Sequence, residues 1–256
     1  MKAIILSAGQ GKRLLPLTAD RPKCLMPLSG STLLEWQLER LAQAGIDEAV
    51  VVTGFRADLV DKLLASRSFA GMTVRTLYNP FYWVADNLAS CWMARAEMTG
   101  PFVILNGDTL FETAAGERVL RTPPEYPITV TINKKPAYDG DDMKVITSGD
   151  RLLSIGKTLD GPAIDGESIG FLRFTEEGAA IFVAELNRAM AVPEGLKQWY
   201  LSAIDRIAKA QGCVGTLSIQ GFDWAELDFP DDYRAMQAMV QGWLDRDALQ
   251  PQALSA

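Results

Sequence analysis

The sequence has no histidine, only three cysteines, and no long apolar run, and each shortage narrows what the chain can do. Without histidine there is no Ser-His-Asp triad and no histidine general base. Cys24, Cys91 and Cys213 are odd in number and far apart. No CxxC spacing occurs, so neither a disulfide framework nor a zinc site is expected. Free thiols in a compact chain suit the reducing cytoplasm, which is the expected location. Lys2 precedes the apolar run AIIL, but that run ends at Ser7–Ala8–Gly9 ahead of Lys12 and Arg13. It is too short for a signal-peptide core. No stretch approaches the ~18 apolar residues of a membrane span, so no insertion into a membrane is expected. Positive charge is scarce as well: 25 Lys and Arg against 32 Asp and Glu leave a net charge of −7. That is the wrong sign for a nucleic-acid surface, although a few local cations suffice for a small phosphorylated substrate.

What is present is an ordinary globular composition, 48% hydrophobic over 256 residues, enough for a large core without staples. Lys2–Ser7 and Glu48–Thr53 read as buried strands, and Thr73–Tyr78 and Pro101–Leu105 as a third and a fourth strand. Between them, Thr32 and Glu35 form a capping box for a helix whose Leu34, Leu38 and Leu41 share a face and which stops at Gly45. Ala57–Leu64 reads as a second helix. This alternation predicts an α/β, doubly wound, mostly parallel Rossmann-like sheet. After about residue 125 the rhythm changes to short strands at Ile128–Ile132, Met143–Ile146, Leu152–Ile155 and Ile169–Phe174. Turns such as Ser148–Gly149–Asp150 suggest hairpins there. Helices at Glu176–Ala191 and about Lys197–Ala210, a strand at Val214–Ile219 and a helix from Pro230 to about Leu244 follow. The expected organisation is one domain over 1–245, with a nucleotide-binding half (1–125) and a β-rich acceptor-binding half (126–245), and a flexible tail at 246–256.

The loop Gly9–Gln10–Gly11–Lys12–Arg13 admits three phosphate-binding readings. A dinucleotide fingerprint needs a third glycine where Leu14 stands and an acid after the second strand, where Val52–Thr53–Gly54 has none. A P-loop needs glycine at Leu6 and a hydroxyl at Arg13. In the third reading, Gly9 and Gly11 free the backbone to wrap a triphosphate, with Lys12, Arg13 and Lys23 as cations. Gly9, Gly11, Arg13, Pro16, Thr18, Pro22, Lys23, Leu25 and Pro27 spell GxGxRxxPxTxxxPKxLxP. This pattern resembles the signature of the nucleotidyltransferases that activate sugar phosphates and phosphorylated alcohols, whose sheet is GT-A-like.

The resemblance assigns roles to two carboxylates. Gly107–Asp108, at a strand end where open α/β sheets bind ligands, matches the family's metal-binding Gly-Asp. Glu226–Leu227–Asp228–Phe229–Pro230–Asp231–Asp232 matches its E-x-D-x-P-x-D segment, which makes Asp228 the second ligand of Mg²⁺. Asp231 and Asp232 suit a helix start. The catalytic set is then Arg13, Lys23, Asp108 and Asp228, with Mg²⁺ as cofactor. The nucleotide-binding set adds Leu6, Ala8, Gly9, Gly11 and Lys12. No general base is needed, because a phosphate monoester is already an anion at neutral pH.

Ala85–Ser90 resembles the Asn-x-x-Ser loop of the phosphocholine cytidylyltransferases and of their relatives that activate inositol phosphate. That reading puts Asn87 and Ser90 on a pyrimidine, with Ser90 starting a helix through Ala96. Asp141–Asp142–Met143–Lys144–Val145 and Ile155–Gly156–Lys157 resemble the same branch and lead into Glu167–Ser168–Ile169–Gly170–Phe171. Lys144 and Lys157 are candidates for the acceptor phosphate. Trp199, Tyr200 and Trp224, with Glu226, are candidates for an aromatic cage around a quaternary ammonium, with Trp83 and Trp92 as further aromatics. A polyol phosphate would instead use Asp142, Asp165 and Glu167. The expected substrates are therefore CTP and a small phosphorylated alcohol, phosphocholine first and inositol or sugar 1-phosphate second. A catalytically silent regulatory subunit would have lost Arg13, Lys23, Asp108 or Asp228, and a glycosyltransferase would carry Asp-x-Asp where Asp108–Thr109–Leu110 stands. A homo-oligomer is compatible with the sequence, which does not encode the state.

Overall fold

A computed structural model describes residues 1–249 apart from Ala70 and Pro162. In it, β1 (Lys2–Ser7) leads into the glycine loop and then a small hairpin of β2 (Pro27–Leu28) and β3 (Ser31–Thr32). Next come α1 (Leu33–Ala44), β4 (Glu48–Thr53), α2 (Ala57–Ala65), β5 (Thr73–Tyr78), α3 (Asn87–Met93) and β6 (Phe102–Asn106). The chain continues through β7 (Thr109–Phe111), α4 (Thr113–Arg121), β8 (Ile128–Asn133), β9 (Lys144–Ser148), β10 (Arg151–Gly156) and β11 (Gly166–Phe174). It ends with α5 (Glu176–Met190), α6 (Tyr200–Gln211), β12 (Val214–Ser218), β13 (Trp224–Glu226) and α7 (Pro230–Leu249).

Nine strands form one sheet in the order β5-β4-β1-β6-β11-β8-β12-β10-β9. From β5 to β6 the pairing is parallel. Beyond β6 it is antiparallel apart from β8 and β12, so the sheet as a whole is mixed, its parallel part being the nucleotide-side half. The β-rich second half continues the same sheet. In the parallel half Leu6 lies beside both Val52 and Asn106, so the loops after β1 and β6 emerge side by side, where such sheets bind ligands.

The strands bury both faces. One core joins Ile4, Val52, Phe102 and Leu172 to α3, α5 and α6; the other joins Ile5, Val51, Val103 and Phe171 to α1, α2 and α4. A smaller cluster packs Met236, Val240 and Trp243 of α7 against Leu14, Trp36, Leu110 and Leu227. The capping box forms as expected: Thr32 Oγ1 accepts from the Glu35 N–H and Glu35 reaches back to the Thr32 N–H.

Four features depart from expectation. Helix α4 was not foreseen; it packs through Ala115, Gly116 and Val119, mostly small side chains. Strands β7 and β13, three residues each, exist only because they pair with one another. Helix α3 starts at Asn87, so Ser90 lies inside it rather than at its cap. Helix α7 continues to Leu249, so the expected tail is helical at 246–249; residues 250–256 lie outside the described residues.

Candidate active site

The centre is assembled from the ends of β1 and β6. The Gly107 N–H donates to the Leu6 carbonyl at 3.1 Å, stitching the two loops together. A Cβ on Gly107 would stand 2.5 Å from the Leu6 oxygen and from Ser7 Oγ, so only glycine permits this approach. Gly11 takes the left-handed conformation, φ 77°, and turns the chain into a short 3₁₀ turn, Lys12–Leu14. That turn aims Lys12 and Arg13 back at the strand ends. Thr18 Oγ1 donates to the Gly11 carbonyl at 2.8 Å and closes the loop.

The second carboxylate arrives by a long-range pairing. Glu226 of β13 lies opposite Thr109 of β7, and the Leu227 N–H donates to the Asp108 carbonyl at 3.0 Å. Asp228 therefore lands beside Asp108. Asp232 of α7 accepts from the Asp228 N–H at 3.0 Å, which leaves the Asp228 side chain free for other partners. Asp231 pairs with Arg234, and both acids act at the helix start as expected.

Lys23 Nζ bridges the two, 2.6 Å from Asp108 Oδ2 and 2.8 Å from Asp228 Oδ1. Arg13 Nη2 also holds Asp228 Oδ1, at 2.8 Å. Burial works against the Lys23 charge, but Asp108 and Asp228 outweigh it and hold its pKa above the lysine range. Burial likewise works against the Asp228 carboxylate, and Lys23 and Arg13 bring its pKa below the ordinary value. For Glu226 the balance goes the other way: burial, then Asp108 and Asp228, push it well up, and Lys23 opposes them only in part. Asp108 Oδ1 is buried without a hydrogen-bond partner.

A cavity of about 360 Å³ covers this centre. Leu6, Gly9, Gly11, Lys12, Arg13 and Lys23 line it together with Asn87, Asp108 and Asp228. Nine of the residues expected from the sequence thus meet in one place. Ala8 lies beneath the loop, buried, with its carbonyl accepting from the Phe55 N–H at 2.9 Å. Ser90 does not reach the cavity: it is buried in α3 and its hydroxyl accepts from Asn79 Nδ2 at 3.0 Å. The expected Ser90 contact to a base is corrected accordingly. Asn87 Oδ1 accepts from the Tyr200 N–H at 2.9 Å, leaving its NH₂ group for a ligand.

The expected acceptor residues divide. Lys144 is buried and donates to the Lys157 carbonyl at 2.8 Å, so it braces β9 against the Lys157 strand end instead of gripping a phosphate. Lys157 reaches the centre, 3.3 Å from Asp141 and 4.7 Å above the Trp199 ring. Tyr200 is wholly buried, its hydroxyl 3.2 Å from Asn106 Oδ1. Trp224 packs half-buried against the core on the opposite face of the sheet. Trp199, Tyr200 and Trp224 therefore do not form a cage, because sheet faces separate them; Trp199 alone is exposed, at 43%. Asp165 accepts from the Thr147 N–H and hydroxyl and is structural. Glu167 is buried 2.9 Å from Lys135, which also holds Asp142 at 2.7 Å. Burial raises the Glu167 pKa to about 7, with Lys135 opposing and Asp142 adding to the rise.

Sequence reading overlooked Lys135 and Phe229. The Arg13 guanidinium lies 4.9 Å over the Phe229 ring, and its place just before Pro230, the first residue of α7, was its only signal. For Lys135, on a loop without periodicity, nothing in the sequence pointed to the pair of acids.

Two observations bear on metal binding. Among the described residues no group of three or more His, Cys, Asp or Glu is placed to hold an ion. Two carboxylates with one orphaned oxygen nevertheless suit Mg²⁺, which takes its remaining ligands from phosphate and water.

Residues 2–150 match the nucleotidyl transferase family. The chain belongs to that family. A choline-phosphate cytidylyltransferase of Streptococcus pneumoniae is 33% identical over 94% of this chain and 99% of its own. A CMP-5'-(3-aminopropyl)phosphonate synthase of Streptomyces rubellomurinus is 29% identical over 91% of this chain, which spans 38% of that longer protein. Among solved structures, the inositol-1-phosphate CTP transferase of T. maritima superposes with a TM-score of 0.77 at 21% identity, over 93% of this chain and 94% of that one. Its likeness shows the nucleotidyltransferase fold. Among the described residues no helix is long and apolar enough to cross a membrane.

Proposed function

We propose that this nucleotidyl transferase is a Mg²⁺-dependent cytidylyltransferase that joins CMP from CTP to a small phosphorylated alcohol and releases pyrophosphate. The observation that carries the reading is the meeting of Arg13, Lys23, Asp108 and Asp228 around one cavity at the ends of β1 and β6. In this chemistry an acceptor phosphate oxygen forms a new bond to the α-phosphorus. The bond to the α,β-bridging oxygen breaks, and pyrophosphate leaves with the electron pair. The attacking oxygen is already anionic, so no proton need be removed, and a chain without histidine lacks nothing for the step.

The loop N–H groups around Gly9 and Gly11, with Lys12, would cradle the triphosphate. Arg13 would take the charge growing on the leaving phosphates, and Lys23 would face the reacting ones. Asp108 and Asp228 would hold Mg²⁺, which supplies Lewis-acid neutralisation of phosphate charge when bound. The Asn87 NH₂ group, its Oδ1 being engaged by the Tyr200 N–H, would donate to a cytosine acceptor. Lys157 would meet the acceptor phosphate, and the exposed Trp199 face suits a cationic head group. Phosphocholine is thus the first acceptor to test. A polyol phosphate is the second, favoured by the buried polar cluster of Lys135, Asp142 and Glu167.

The test is pyrophosphate release with each of the four nucleoside triphosphates against a panel of phosphomonoesters. CTP with phosphocholine should be the best pair. Turnover of UTP or dTTP with a hexose 1-phosphate, and none with CTP, would remove the cytidylyl assignment.

A further inference from the structure

Asp141 sits between the two halves of this site. It belongs to the loop joining β8 to β9, and its side chain is 52% exposed. One carboxylate oxygen lies 3.1 Å from Arg13 Nη1, the other 3.3 Å from Lys157 Nζ. The loop is anchored on either side of it. Asp139 Oδ1 accepts from the Asp141 and Asp142 N–H groups at 2.8 and 3.2 Å. Asp142 is tied to Lys135 at 2.7 Å. Lys157 is held from behind through its carbonyl by Lys144. The Asp141 side chain is therefore the half-exposed member of a hydrogen-bonded frame, and it is the shared counter-ion of a cation on the nucleotide side and a cation on the acceptor side.

We propose that Asp141 is a positioning residue that couples the two substrate half-sites, a reading that rests on the phosphate-binding roles proposed for Arg13 and Lys157. A phosphate arriving at either cation meets the Asp141 carboxylate, and like charges in one small cavity repel. Asp141 swings away from both cations at once, because one side chain serves both. The first substrate alone carries the work of displacing it, and the second finds its cation already released from Asp141, Arg13 keeping its separate Nη2 pair with Asp228.

The thermodynamics reduce to one number. If the latched state outweighs the open state by a ratio L, either anion alone binds more weakly by the factor 1 + L. Each anion then improves the affinity of the other by that same factor, reciprocally. Removing the carboxylate should tighten each anion alone by 1 + L and erase the same factor from their coupling. Two half-exposed ion pairs of ordinary strength correspond to a factor of about three to ten.

The probes are inorganic pyrophosphate for the Arg13 side and inorganic phosphate for the Lys157 side, which makes the test independent of base and alcohol. Calorimetric titration of each, with and without saturating amounts of the other, is run on the parent chain and on Asp141→Asn. The expected result is a gain of about three- to tenfold in each single affinity in the variant, and an equal loss from the coupling factor. Asp141→Ala should behave alike, whereas Asp139→Ala, which only loosens the turn, should not reproduce the equality. Binding of both anions with affinities and coupling unchanged in Asp141→Asn overturns the inference and leaves the catalytic reading standing. Failure of either anion to bind the parent chain overturns the phosphate roles of Arg13 and Lys157, and the coupling with them.

Discussion

Replacing Lys23 by methionine removes the cation that bridges Asp108 and Asp228, at 2.6 and 2.8 Å, while nearly keeping the length of the side chain. The three side chains are only 15–20% exposed. Breaking a fully buried pair costs about 3–5 kcal/mol, and partial solvent access lowers this to about 1–3 kcal/mol. For a chain of this length that is a fall in Tm of roughly 3–10 °C. The pKa of Lys23 is held above its ordinary value, so its stabilising effect is complete below the unfolded lysine pKa and is lost only as pH rises through the higher folded one. The difference in Tm between parent and variant should therefore be flat from about pH 6 to 8. Millimolar Mg²⁺ should recover part of the lost stability, because a divalent ion restores positive charge between the two acids. Nucleotidyl transfer should nevertheless fall about 10²–10³-fold, the scale of losing one charge-stabilising group in a closed site. Differential scanning fluorimetry with and without Mg²⁺, together with pyrophosphate release, reads all of this. A variant with Tm within 1 °C of the parent and activity within threefold would refute both the energetic and the catalytic reasoning.

Three further outcomes are expected. Gly107→Ala should cost about 1–3 kcal/mol in denaturant melts and depress turnover, because its Cβ would stand 2.5 Å from the Leu6 carbonyl oxygen; full stability would show that the β1–β6 contact is looser than described. Trp199→Ala should raise KM for the alcohol phosphate while leaving that for CTP intact, whereas Trp224→Ala should lower Tm with little change in either KM, since Trp224 packs against the core; equal effects on acceptor KM would restore the cage. Glu167, at about 7 when folded, binds a proton more tightly than in the unfolded chain, so its protonation favours folding at low pH. That contribution is lost as pH rises from about 4.3 through 7, and Glu167→Gln should flatten the fall in Tm between about pH 5 and 8; an unchanged profile would place the titration elsewhere.

The segment Leu6–Lys23 was legible because its chemistry is local. Two glycines, a run of cations and the prolines act within a few residues of one another, and their conformations need no distant partner to be inferred. Strands β1, β4 and β6 were legible for a related reason: buried parallel strands are apolar along most of their length, and glycine or polar residues end them. Asp108 followed from standing just beyond such a strand. Asp228 could be named only through resemblance, and its arrival beside Asp108 depends on β7 and β13, neither of which has a pattern of its own.

The acceptor side was the least legible part, and the reason is geometric. Trp199 and Tyr200 are adjacent in sequence, yet one faces solvent and the other fills the core, because the helix that starts between them turns its first side chain inward. Ser90 and Asn87 sit one helical turn apart, and only Asn87 reaches the cavity. Lys144 and Lys157 looked equivalent as strand lysines until strand pairing buried one and left the other beside Asp141. Local composition alone determined that this chain can cradle a triphosphate, since glycine backbone freedom and adjacent cations are properties of neighbouring residues. Which acids share a cation, and which aromatics reach the ligand, was decided only by the tertiary structure, because charge coupling and burial depend on distances that long-range strand pairing sets.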